Sequence, residues 1–309
     1  MNDRIKSLIR SMTLGEKATL LSGLDNWRTK PVDRLGIPLL LMTDGPHGLR
    51  LDADSSGKPV PATGFPTASG LASSWNTDLV EAVAAAIGDE CRAHGVGLLL
   101  GPALNIKRSP LCGRNFEYYS EDPLLAGRMA AAFTRGIQSR GVGACLKHFA
   151  LNNMETRRQN SDSVCDMRTM REIYLAAFET AVRDAAPWSV MCSYNRINGT
   201  FASDNAWLLT TVLRDEWGFD GLVMTDWGAL NDRIAAVQAG TELEMPASDG
   251  RTDRALVEAV ETGLLDEAVL DRAVGRVLRV VFRAGEALRT LPAAPVDPAA
   301  NHRFARRTA

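Results

Sequence analysis

Gly221-Leu222-Val223-Met224-Thr225-Asp226-Trp227-Gly228-Ala229 joins a short apolar run to an acid, a tryptophan and a glycine. The run Leu222–Met224 reads as a strand buried on both faces, the kind that parallel sheets covered by helices use. Packing gives no reason to place a charge at the tip of such a strand, so Asp226 there is placed for chemistry. The same acid is equally placed to cap a helix opening over residues 226–229. Beside it, the Trp227 indole offers a flat apolar face.

Working outward, the chain repeats this pattern. Apolar runs that read as strands occupy Pro38–Met42, Val96–Leu100, Val142–Leu146, Ser189–Cys192, Leu222–Met224 and Glu242–Met245. Amphipathic stretches of helical period separate or follow them at Leu79–Ala93, Leu124–Arg140, Met167–Asp184, Leu208–Glu216, Asp232–Ala239, Asp253–Glu261 and Glu267–Ala284. Alternation of this kind predicts an α/β fold. An open doubly wound sheet gathers its ligand groups at one switch point, commonly with a glycine-rich phosphate loop, and no such loop is present. Here nearly every strand ends in polar or aromatic groups: Asp44-Gly45-Pro46-His47-Gly48, Gly101-Pro102, Lys147-His148-Phe149, Ser193-Tyr194-Asn195 and Thr225-Asp226-Trp227. A (β/α)8 TIM-type barrel collects all of these at one mouth. The expectation is a barrel over residues 1–290.

Composition narrows the chemistry. The 309 residues carry 35 Lys and Arg against 37 Asp and Glu, a net charge of −2. That leaves no basic excess for nucleic acid. No apolar run reaches membrane-spanning length, and Met1–Arg10 does not read as a signal peptide. Five widely spaced cysteines (Cys91, Cys112, Cys145, Cys165, Cys192) read as reduced thiols, which places the protein in the cytoplasm. The four histidines are not in metal-ligand spacing, so no metal and no cofactor is expected.

Taken singly, the strand-end residues each have a plain reading. Asp44 lies in a turn sequence, and His148 can be a core histidine. Arg158 can belong to a solvated helix face, and Met191 and Tyr194 to the core. The loop Gly113–Asp122, which contains Arg114, holds too many charges and aromatics for a passive connector. Together they describe a mouth rich in hydrogen-bonding side chains with an aromatic platform, which suits a pyranose ring. A strand-end carboxylate in such a pocket is a candidate glycosidase nucleophile.

The order of motifs resembles the N-terminal domain of glycoside hydrolase family 3, the family of many β-glucosidases. The resemblance covers residues 10–309. It rests on Met42-Thr43-Asp44-Gly45-Pro46-His47-Gly48-Leu49-Arg50, Gly113-Arg114-Asn115-Phe116-Glu117 and Lys147-His148-Phe149 with Asn152, Asn153 and Glu155. Met191-Cys192-Ser193-Tyr194-Asn195, Trp217-Gly218-Phe219-Asp220-Gly221 and Thr225-Asp226-Trp227 continue it.

The resemblance implies retaining exo-hydrolysis that releases terminal β-D-glucose from β-glucosides. Asp226 would be the nucleophile, and Asp44, Arg114, Lys147, His148 and Arg158 would bind hydroxyls. Tyr194 would orient Asp226, with Met191 and Trp227 lining the floor and the Arg and Lys charges favouring ionised Asp226. Two departures stand out. Glu242 occupies a position where Asp is usual, and Ala150-Leu151-Asn152 replaces the segment on which the N-acetylglucosaminidase branch carries its His–Asp pair. In the β-glucosidase branch the general acid/base is a Glu on a following α/β domain. Residues 291–309 read as a Pro/Ala linker and the first residues of that domain, so the chain looks cut short, and weakly active or inactive alone. Glu117, Glu155 and Glu244 are present as carboxylates but carry no further sign of that role. The partners implied are a β-glycoside and the absent domain. A β-xylosidase or α-arabinofuranosidase, and a sugar-binding barrel without turnover, are the competing readings.

Overall fold

Five of the six expected strands, with the helical stretches between them, are present in the computed structural model, which describes residues 3–52, 60–291 and 296–309. Most of the loop Leu51–Val60 and the centre of the Pro/Ala linker, residues 292–295, lie outside them. Five strands, β1 (Met42–Asp44), β2 (Leu98–Leu100), β3 (Gly143–Phe149), β4 (Ser189–Cys192) and β5 (Leu222–Thr225), pair in parallel in the order of the chain. Chain-order pairing without a reversal means that the sheet is wound in one direction. It is therefore not the doubly wound arrangement.

Alternating strand residues fall into two separate apolar clusters, because successive side chains on a strand point to opposite faces. Leu99, Ala144, Leu146, Val190, Cys192 and Val223 pack in the cluster that contains the helices Thr77–Ala93 and Pro123–Ser139. Met42, Leu98, Leu100, Cys145, Met191, Leu222 and Met224 pack in the other, which also takes in the helix Glu267–Thr290. A sheet buried on both faces is why these strands read as continuous apolar runs.

The five strands form a curled half-barrel. The segment expected to be a sixth strand, Glu242–Met245, joins only by single bridges, Leu243 to Met224 and Glu244 to Ser22, both parallel. Antiparallel bridges from Gly23 to Thr29 and from Arg28 to Leu41 lead back towards β1. Eight regular parallel strands are thus not what the described residues show. Below about four residues of regular pairing, apolar periodicity cannot separate a strand from a bridged loop.

Side-chain caps set the helix starts. Asn76 accepts from Leu79 N–H, Asp122 from Leu125 N–H, and Asp232 from Ile234 and Ala235 N–H. The cap after β5 is therefore Asp232, and Asp226 is free of that duty. The helix Pro298–Thr308 docks against the rest of the molecule: Phe304 meets Phe65 edge-on at 6.0 Å, and Asn301 Nδ2 donates to Glu90 Oε1 at 2.7 Å. Among the described residues no helix is long and apolar enough to cross a membrane. All five cysteines are unpaired, and Cys91, Cys145 and Cys192 are buried.

Candidate active site

Strand parity builds the pocket. Asp44, Lys147, Met191 and Asp226 share the parity of the interior cluster, so each continues its strand's inward row at the carboxyl end. They line one pocket of about 180 Å³ together with Trp27, Leu100, Arg114, His148, Arg158, Tyr194 and Trp227. All nine residues singled out from the sequence meet there. Lys147 and His148, as neighbours on a regular strand, would face opposite ways. The peptide between them is cis, the β3–β4 register shifts between Leu146 and Phe149, and both side chains line the pocket.

Buried charges hold one another in place. Lys147 Nζ lies 2.5 Å from Asp44 Oδ1 and 3.3 Å from Glu117 Oε1, and Arg114 Nε donates to Glu117 Oε2 at 2.8 Å. Burial works against charge on all four groups, yet the pairs outweigh it. Asp44 and Glu117 are held below the usual carboxylate range, and Lys147 and Arg114 above their ordinary values. Arg158 Nη1 donates to Glu155 Oε2 at 2.8 Å, and its guanidinium lies 4.6 Å over the Tyr194 ring.

His148 is neutral. Complete burial, reinforced by Arg114, Lys147 and Arg158, pushes its pKa well below the ordinary histidine value. Arg114 Nη2 lies 2.8 Å from His148 Nε2, and arginine can only donate, so Nε2 accepts and the proton sits on Nδ1, 3.5 Å from the Tyr118 hydroxyl. The 3.6 Å approach of Nε2 to Asp226 Oδ2 is accordingly not an ion pair.

The two oxygens of Asp226 differ. Oδ1 accepts from Tyr194 OH at 3.0 Å and from Trp227 N–H at 2.7 Å, while Oδ2 is buried without a hydrogen-bond partner. Burial raises the Asp226 pKa, and Lys147, the Trp227 N–H, Arg114 and Tyr194 offset only part of that rise. The expectation that neighbouring cations would favour the charged form is met in direction but not in net effect, because desolvation is the larger influence. Replacing Tyr194 by Phe removes one of the two donors to Oδ1. Such a bond to a charged group is worth about 1.5–3 kcal/mol, so Tyr194→Phe is expected to raise the Asp226 pKa further, by roughly one to two units. An Asp226 carboxyl titration, followed by NMR, that stays in place in the variant would contradict this.

The chain matches the family model described as "Glycosyl hydrolase family 3 N terminal domain" over residues 6–280. The chain belongs to glycosyl hydrolase family 3. It is 57% identical over 310 residues to thermostable beta-glucosidase B of Acetivibrio thermocellus, covering 99% of this chain and 41% of that protein. It is 51% identical to an exo-alpha-(1->6)-L-arabinopyranosidase of Bifidobacterium longum, covering 93% of this chain and 39% of that protein. Among solved structures, beta-glucosidase 3B of Thermotoga neapolitana in complex with glucose superimposes with a TM-score of 0.94 at 41% identity, covering 99% of this chain and 46% of that one. The family 3 relatives are therefore longer proteins, of which this chain spans about two fifths.

Two features of this family 3 domain were not found from sequence. Trp27 forms a second aromatic wall, its ring centroid 5.6 Å from that of Trp227, whose Nε1 donates to the Asn26 carbonyl at 2.9 Å. Trp27 lies in no periodic segment, and the contact spans some two hundred positions, so nothing local announces it. Glu117 was noted only as a carboxylate, whereas it is the hinge between Arg114 and Lys147. Of the other carboxylates considered as an acid, Glu155 pairs with Arg158, and Glu244 accepts from Thr252 away from the pocket lining.

Proposed function

We propose that this chain forms the nucleophile-bearing part of a retaining exo-β-glucosidase built on an irregular barrel. The observation that carries the reading is the asymmetry of Asp226: one oxygen is held by two donors, and the other is bare in a pocket lined by hydroxyl-binding groups. Sites for drug-sized ligands run to about 300–1,000 Å³, so a pocket of 180 Å³ suits one terminal sugar ring. Oδ2 attacks the anomeric carbon, the bond to the aglycone oxygen breaks, and a glycosyl ester forms on Asp226. Asp44 with Lys147, and Arg114 with His148 and Arg158, hold ring hydroxyls through bonds that tighten as the ring flattens. Water later attacks the ester and frees the sugar.

The leaving oxygen needs a proton. Apart from Asp226, the lining offers only Asp44 as a carboxyl, and Lys147 holds that group ionised. Glu117 behind it is held ionised as well. We infer that the general acid/base comes from polypeptide outside the described residues, as the greater length of the relatives allows. A positioned acid contributes about 10²–10⁴-fold, so its absence matters least for good leaving groups.

This gives a direct test. With a 2,4-dinitrophenyl 2-deoxy-2-fluoro-β-glucoside, which departs without protonation, the 309-residue chain is expected to form a stable adduct on the peptide containing Asp226. With phenyl β-glucoside, which needs the acid, release is expected to be slower by about the factor an acid supplies. No adduct in the intact mass would remove nucleophile chemistry and leave the sugar-binding reading. The arabinopyranosidase likeness favours one further reading, a terminal pentopyranoside in the same pocket. A panel of nitrophenyl glycosides ranks the two.

A further inference from the structure

Asn105 follows β2 and is not among the residues that line the sugar pocket, yet it is only 2% exposed. Both ends of its side-chain amide are used on one residue. Oδ1 accepts the His148 N–H at 2.7 Å, and Nδ2 donates to the His148 carbonyl at 2.8 Å. An N–H only donates and a carbonyl only accepts, so the amide fits there in one orientation alone.

The sheet explains why such a clamp is needed. The backbone after β2 serves β3 as far as Lys147, whose N–H donates to the Pro102 carbonyl at 3.0 Å. The Lys147 carbonyl accepts in turn from Leu104 N–H at 2.8 Å. On the β4 side the register shifts between Leu146 and Phe149, and the pairing skips His148. The Asn105 amide, alike in shape and polarity to a peptide group, supplies the missing rung for that one residue. Buried main-chain groups without a partner are costly, so the clamp is under strong constraint. His148 is also the residue whose ring must be placed closely: Nε2 lies 2.8 Å from Arg114 Nη2 and 3.6 Å from Asp226 Oδ2. At its other nitrogen the ring has only the long 3.5 Å approach of the Tyr118 hydroxyl, so its backbone carries much of the placement.

We propose that Asn105 is a positioning residue for sugar binding, acting through the His148 backbone and touching no substrate itself. The inference rests on the reading that His148 holds a sugar hydroxyl. The probe is glucose, titrated into the 309-residue chain and followed by tryptophan fluorescence. Asn105→Ala is expected to weaken glucose about 3–10-fold, the worth of one neutral hydrogen bond, and by no more than His148→Ala does. In the His148→Ala background the same substitution is expected to change affinity less than about twofold, because the group it positions is gone. If Asn105→Ala does not fold, Asn105→Ser, which leaves room for a water at the two His148 groups, carries the same cycle. A second readout needs no sugar. With four histidines in the chain, the His148 ring nitrogens can be followed by NMR. The parent is expected to show the neutral Nδ1–H form alone, and the Asn105 variants a mixture of the two neutral forms. Affinity within twofold of the parent in a folded Asn105 variant would overturn the proposal. So would an equal loss in the His148→Ala background, which marks a merely structural role. If glucose fails to bind the parent, the sugar reading falls, and the ring spectrum decides the clamp by itself: an unchanged Nδ1–H form in the variants overturns it.

Discussion

Asp226→Asn is expected to abolish adduct formation with the fluoro-glucoside and to lower turnover of activated glucosides by at least about 10³-fold, since it removes the proposed nucleophile and with it the covalent route. The same substitution should not destabilise the fold. The Asp226 pKa is raised in the folded chain, burial being the main cause. A raised carboxyl pKa means that the folded state holds its proton more tightly than the unfolded one. The carboxyl's favourable contribution is then fully present below the unfolded value of about 3.9 and is lost as pH rises through the folded value. At neutral pH the charged form is a cost, which the amide lacks. Thermal melts at pH 7 should place the variant at or above the parent, with the gap closing as the pH falls towards the ordinary aspartate range. A lower melting temperature at pH 7 would show that the carboxylate is structural. On the proposed mechanism only the ionised form attacks, so the same raised pKa is expected to set the acid limb of activity above the ordinary aspartate range.

The second large effect concerns stability alone. Glu242→Ala is expected to cost about 3–5 kcal/mol, the usual penalty for removing one member of a buried ion group. Glu242 is 1% exposed, takes two bonds from Arg214 at 2.7 and 2.9 Å and one from Arg276 at 2.7 Å, and accepts the Val223 N–H at 2.7 Å. Its loss strands the buried Arg214 and frees the backbone donor at the start of the strand that carries Asp226. A fall in melting temperature of roughly 6–20 °C corresponds to that energy. Glu242→Asp, one methylene shorter, cannot reach every donor at once and is expected to fall between the two. Melting within 2 °C of the parent for Glu242→Ala would contradict the network's weight, on the scale of about 2–4 °C per kcal/mol.

The departure at Glu242 shows what reading the chain can and cannot do. Its rarity was visible, but its two arginine partners lie 28 and 34 residues away on different helices. The strand ends were legible as carriers of the site because each apolar run stops at polar or aromatic residues, and parallel strands bring their carboxyl ends to one edge. Ser189–Cys192 was placed to the residue, and β5 and the helix beginning near residue 77 to within two. Glu242–Met245 was read as a strand and is a bridged segment, because apolar runs look alike whether or not a neighbour supplies a full ladder.

By itself, the sequence determined the α/β class through its apolar periodicity, and its motifs, through their resemblance to family 3, named the nine side chains that meet. Tertiary structure alone decided the rest. It turned His148 to the same side as Lys147, brought Trp27 onto Trp227, and gave the capping duty to Asp232 rather than Asp226. It also settled the charge balance at Asp226. The cations around that carboxylate are local facts of the sequence, but the water taken from it is a property of the closed surface, and here desolvation is the larger effect.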